Sequence, residues 1–131
     1  MSSHPDLVAA AVAASSRAYA PYSHYFVGAA LRGDNGKIYS GANVENASYG
    51  LCICAERAAI IAAVLDGVRT IEAIAVATST SPPAAPCGMC RQTIAEFARE
   101  AALILTNDRG ERLDMKLSEL LPHAFHREDI K

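Results

Sequence analysis

The chain has 131 residues, 51% of them apolar and 20% charged, with a formal net charge of -2 and a pI near 6.0. That length suits one domain, residues 1–131, without a second sizeable core, and the composition excludes a disordered or low-complexity segment. The charge excludes a basic footprint for nucleic acid, no window approaches membrane-spanning length, and the start lacks the pattern of a signal peptide; a cytoplasmic protein with a small-molecule partner is expected.

In chain order, Leu7, Ala11, Ala14 and Ala18 recur at helical spacing ahead of Pro21, which predicts an amphipathic helix over 6–19. Val27–Arg32 and Ile38–Ala42 flank Asp34-Asn35-Gly36-Lys37, and Asn-Gly supplies the positive φ angles of a tight hairpin. Cys54–Leu65 is apolar almost all the way round, as a helix buried between neighbours would be, and Gly67 ends it. Ile71–Thr78 is a near-continuous apolar run suited to a central strand, and a proline-containing loop, Ser79–Pro86, then delivers Cys87. Ile94, Phe97 and Ala98 mark a helix over 88–99, and Ala102–Thr106 a buried strand parallel to the previous one. Asn107-Asp108-Arg109-Gly110 turns the chain back into an antiparallel strand, Arg112–Lys116. The fold class is α/β: a mixed sheet of about five strands with helices on both faces.

Chemistry concentrates in Cys54-Ala55-Glu56 and Pro86-Cys87-Gly88-Met89-Cys90. Cys87 and Cys90, three apart, share one face of a helical turn, so both sulfurs reach one metal. Alone, that pair is open to structural zinc, redox chemistry or catalytic zinc. Cys54 adds a third thiolate and leaves one coordination position for water, with Glu56 as the base beside it. Three thiolates on Zn²⁺ sum to one negative charge, which weakens the metal as a Lewis acid unless something offsets it. Both motifs sit at predicted helix N-termini, where the dipole favours thiolate, and Arg57 and Arg91 lie close by; a solvated helix face is the other reading of these arginines. Cys52 is a candidate fourth ligand of a closed structural site, but a C-x-C pair is tight for one tetrahedral metal, and Leu51-Cys52-Ile53 suits a thiol packed as a small hydrophobe. The four histidines lie outside both motifs and read as surface or packing residues.

Zinc deaminases place a nonligating Glu two residues past the first ligand, ahead of a later P-C-x-x-C. Nearly end to end, the chain resembles the small, free-nucleoside cytidine deaminases. The likeness covers Ala20–Ser23, Val27–Leu31, Gly41–Leu51, Cys54–Arg57, Pro86–Gln92 and Leu120–Phe125. It implies the three-layer cytidine deaminase-like fold, one Zn²⁺ per subunit, and hydrolysis of cytidine and 2'-deoxycytidine to the uridines with release of ammonia. By resemblance, Cys54, Cys87 and Cys90 are the zinc ligands, Glu56 the proton shuttle, and Arg57 a residue behind the ligands that moderates thiolate charge. Asn43 and Glu45 match the ribose-binding pair; their spacing of two would put both on one face of a strand end, where without the resemblance they read as a solvated terminus. Ala47, Tyr49 and Phe125 match positions that contribute to a neighbouring subunit's site or its closure, in a homotetramer. Tyr25 stands where the family usually has Phe against the nucleoside, and its hydroxyl needs a partner or solvent.

Other readings separate by feature. A polynucleotide deaminase would want a basic groove and helix-separated parallel strands in place of the final hairpin. Deaminases of the nucleoside antibiotic blasticidin look similar around the metal. A nonenzymatic zinc or redox module predicts four sulfur ligands or none.

Overall fold

The computed structural model describes residues 4–130. Its core is one five-stranded sheet in the order β2-β1-β3-β4-β5, comprising β1 (Gly28–Gly33), β2 (Ile38–Ala42), β3 (Ile71–Thr78), β4 (Ala102–Asn107) and β5 (Arg112–Lys116). β3 and β4, joined by a helix, pair in parallel; β1–β2 and β4–β5 are antiparallel pairs joined by short turns, and β3, reached from β2 through another helix, lies antiparallel beside β1.

Side chains alternate across the sheet and so build two cores. On one face Ala30, Ala73, Ala75, Ala77 and Ile104 receive Leu7 and Ala11 of α1 (Pro5–Ser15). On the other, Leu31, Ile74, Val76, Leu103 and Leu105 pack against Ala59, Ile60 and Ala63 of α2 (Ala55–Leu65) and Ile94 of α3 (Gly88–Phe97). The alanine face lets α1 sit close. A Cβ on Gly28 would meet the Ala11 carbonyl at 2.0 Å. α2 rests equally tightly on β2, since a Cβ on Gly41 would lie 2.6 Å from the Ala59 nitrogen and 2.8 Å from the Ala55 oxygen.

Three sequence expectations change. α1 ends at Ser15 rather than at 19. Ser15 and Ser16 turn their hydroxyls back onto the Val12 and Ala13 carbonyls, and Tyr19 leaves to bridge Val44, with the Tyr19 N–H donating to the Asn43 carbonyl at 2.9 Å. α2 is not enclosed on all sides: Ile61 is 50% and Leu65 83% exposed on its outer face, because only one side of the helix meets the sheet. α3 stops at Phe97. The strand bounds hold to within a residue; in the β1–β2 turn Gly36 takes positive φ, 81°, but Asn35 does not, and Gly67 stands at φ 98° just past α2. Short helical pieces that periodicity did not reveal are Tyr49–Leu51, α4 (Leu117–Leu120) and Arg127–Ile130. No helix among the described residues is long and apolar enough to cross a membrane.

Candidate active site

Cys54 occupies the N-cap of α2 and Cys87 the N-cap of α3, and neither side chain caps its own helix. Both sulfurs are thereby free to turn toward Cys90, one turn into α3, which is fully buried. The three Sγ atoms lie within 4.8 Å of one another, the only such ligand group among the described residues. Cys54 Sγ and Cys87 Sγ are 3.8 Å apart. Two thiolates about 2.3 Å from a tetrahedral zinc stand about 3.8 Å apart, so the spacing suits that ion.

The thiol chemistry makes the same point. Without a cation three adjacent sulfurs cannot all be thiolates, and the cluster divides its charge unevenly. Cys54 falls to about 5, chiefly because the Cys90 thiol donates to it, with Cys87 and Arg57 assisting. Cys90, holding that proton for Cys54, is pushed far up. A divalent cation would remove this conflict by holding all three as thiolates.

Glu56, in the first turn of α2, is 4% exposed. Burial raises its pKa, as does the nearby Cys54 charge, while a hydrogen bond with Cys90 and the Arg57 charge partly oppose the rise. A carboxyl displaced toward neutrality both takes and returns a proton readily. Arg57 donates to the Cys52 carbonyl at 2.9 Å, lies against the Cys54 sulfur, and keeps a buried Nε without a partner. Cys52 stays outside the sulfur cluster: its Sγ accepts the Asn46 N–H at 3.3 Å. Arg91 is half-buried rather than on a free solvated face; it donates to Pro86 and Leu120 carbonyls, both at 2.8 Å, and so pins the turn that starts α3.

A cavity of about 280 Å³ opens onto these groups, with Tyr25, Asn43, Glu45, Cys54, Glu56 and Cys87 in its wall. A larger one, about 620 Å³, lies by Arg69, Glu72 and Arg127 and contains none of the cysteines. Asn43 and Glu45 come after the end of β2, not on it, and each ties down the 19–27 segment. Asn43 accepts the Val27 N–H at 2.9 Å and donates to the Tyr25 carbonyl at 2.8 Å. Glu45 accepts the N–H groups of Tyr22 and Ser23 at 3.0 and 3.1 Å and also the Ser23 hydroxyl, bonds that hold its carboxyl below its usual range. Ala47, Tyr49 and Phe125 stay exposed and do not line the cavity; Tyr49 instead meets Tyr22 edge-on at 6.0 Å. Thr78, Ile53 and Val76 also line it and were not anticipated. Thr78 had a signal, a hydroxyl closing an apolar run at the carboxyl end of a parallel strand.

Residues 1–106 match the family model described as the cytidine and deoxycytidylate deaminase zinc-binding region. The chain belongs to this family. It is 46% identical over 125 residues to the cytidine deaminase of Sporosarcina psychrophila, covering 95% of this chain and 92% of that one. It is also 46% identical to that of Halalkalibacterium halodurans, covering 95% of each. The crystal structure of cytidine deaminase from Burkholderia pseudomallei superposes with a TM-score of 0.90 at 48% identity, over 95% of this chain and all of that one. The five-stranded mixed sheet of this family member is therefore the cytidine deaminase fold, and zinc is its cofactor.

Proposed function

We propose that the chain, acting as a single domain, hydrolyses cytidine and 2'-deoxycytidine to uridine and 2'-deoxyuridine with release of ammonia. The observation that carries this reading is Glu56, buried beside the three-sulfur cluster in the wall of a small cavity. Cys54, Cys87 and Cys90 would hold zinc, which supplies Lewis-acid activation of a water. Glu56 takes a proton from the attacking water as its oxygen bonds to C4 of the cytosine ring and delivers that proton to N3; it then takes the hydroxyl proton of the tetrahedral adduct and passes it to the amino group as the C4–N bond breaks and ammonia leaves. The α2 and α3 N-termini and Arg57 offset the surplus thiolate charge.

Asn43 and Glu45 are read as ribose contacts. Asn43 keeps one N–H and Glu45 Oε2 one acceptor direction after their bonds to the 19–27 segment, and both face the cavity. Tyr25, in the same wall, packs against the nucleoside, its hydroxyl reaching solvent or substrate. Ala47, Tyr49 and Phe125, exposed and away from their own cavity, are read as serving a neighbouring subunit in a homotetramer. The apolar outer face of α2 supports that assembly. A thiol ligand set suits a reducing compartment, which supports the cytoplasm.

The test follows the ultraviolet change of cytidine, deoxycytidine, free cytosine and blasticidin S with wild type and Glu56→Ala. Turnover of the two nucleosides, lost in the variant, is expected. Turnover of blasticidin S alone would move the substrate to the antibiotic, and no turnover by zinc-loaded wild type would end the reading.

A further inference from the structure

We propose that Asn107 is a positioning residue for the Cys87 ligand: its buried amide clamps the loop joining β3 to α3. This rests on the ligand role proposed for Cys87. Residues 79–87 carry the chain from the end of β3 to the N-cap of α3, and Ala85, Pro86 and Cys87 form part of the cavity wall. A loop of this length has no strand partner of its own, so its conformation depends on what holds it.

The far end is held by Arg91 through the Pro86 carbonyl. The near end is held from the β4–β5 turn. Asn107, the last residue of β4 and paired in register with Thr78, is 2% exposed. Its amide donates to the Thr80 carbonyl at 2.9 Å and to Glu111 Oε1 at 2.6 Å. Its oxygen accepts the N–H groups of Arg109 and Glu111 at 3.0 and 3.1 Å. Glu111 Oε1 also accepts the Ser81 hydroxyl at 2.6 Å, and the Thr106 hydroxyl donates to the Glu111 carbonyl at 2.7 Å.

All four hydrogen-bonding directions of the amide are thus used, three within the turn and one outward, onto the loop itself. A buried group satisfied in this way has a single orientation, and it passes that orientation to what it grips. The clamp ties Thr80 and Ser81 to a turn that touches none of the sulfurs. It therefore acts on Cys87 only by fixing where the loop begins.

Asn107→Asp separates the two halves of the clamp, because it keeps the acceptor for Arg109 and Glu111 but lacks the donors to Thr80 and Glu111. Ser81→Ala removes only the loop's hydroxyl and leaves the buried residues alone. Zinc release to a chromophoric chelator, measured well below the melting temperature, is expected about tenfold faster for Asn107→Asp, the scale on which partners behind a ligand act. Ser81→Ala moves the same way by less, and KM for cytidine rises in both. Release and KM within twofold of wild type in both variants would overturn the proposal, as would a change confined to melting temperature. If Asn107→Asp does not fold, Ser81→Ala decides alone, and unchanged release overturns. Wild type that binds no zinc refutes instead the ligand reading beneath it.

Discussion

Glu56 is enclosed by the N-terminus of α2 and the Cys90 thiol, and burial is the main cause of its raised pKa. Glu56→Gln keeps the shape and removes the proposed proton carrier, so kcat should fall by roughly 10²–10⁴-fold with zinc stoichiometry unchanged; rate assays and metal analysis check both. The proposed ligand trio predicts the opposite split. Cys54→Ser, Cys87→Ser and Cys90→Ser should each lose zinc, whereas Cys52→Ser, bonded to Asn46 and outside the cluster, should keep zinc and activity. After chelation Cys54, with its pKa near 5, is a thiolate at neutral pH. Iodoacetamide should then modify Cys54 ahead of the buried Cys90, and zinc should protect both, as peptide mass spectrometry would show. The cysteines and Glu56 were legible as motifs because ligand chemistry restricts residue type. Ser23 and the grip of Arg91 were not, because a hydroxyl or guanidinium in a loop or on a helix has no pattern until its partners are known.

Two elements place the site, α2 and the 19–27 segment. Gly41 lets the first turn of α2 lie directly on β2. Gly41→Val should cost more than about 2 kcal/mol in urea unfolding, since the obstruction is backbone, and should lower kcat in the folded fraction by displacing Glu56. The 19–27 segment is held by Glu45, whose lowered carboxyl pKa sets a pH dependence. Stability from a depressed carboxylate is present above its unfolded value, here 4.5, and is lost as pH falls through the lower folded value. The Ser23 amide resonance should therefore shift in the acid range below 4.5 in wild type and stay flat in Glu45→Gln. The strands, α2 and α3 could be read within a few residues from periodicity and turn chemistry. The early end of α1 could not, because it is imposed by the Tyr19–Val44 bridge, a contact between distant positions.

At the scale of the whole molecule, Ile61 and Leu65 lie one turn apart on the outer face of α2 and are largely exposed in the single chain. If the proposed tetramer covers them, Ile61→Glu with Leu65→Glu should yield a smaller species by light scattering and a large loss of activity without loss of zinc. A fully active monomer would refute shared sites. By itself the sequence determined the zinc-binding motifs, the proposed proton carrier and the local strand pairings, because ligand type, helix start and apolar period are local properties. Tertiary structure alone decided that β3 lies beside β1, that Asn43 and Glu45 grip the 19–27 segment, and that Asn107 reaches the Cys87 loop. Those depend on which distant residues the two faces and the edges of one sheet bring within hydrogen-bonding distance.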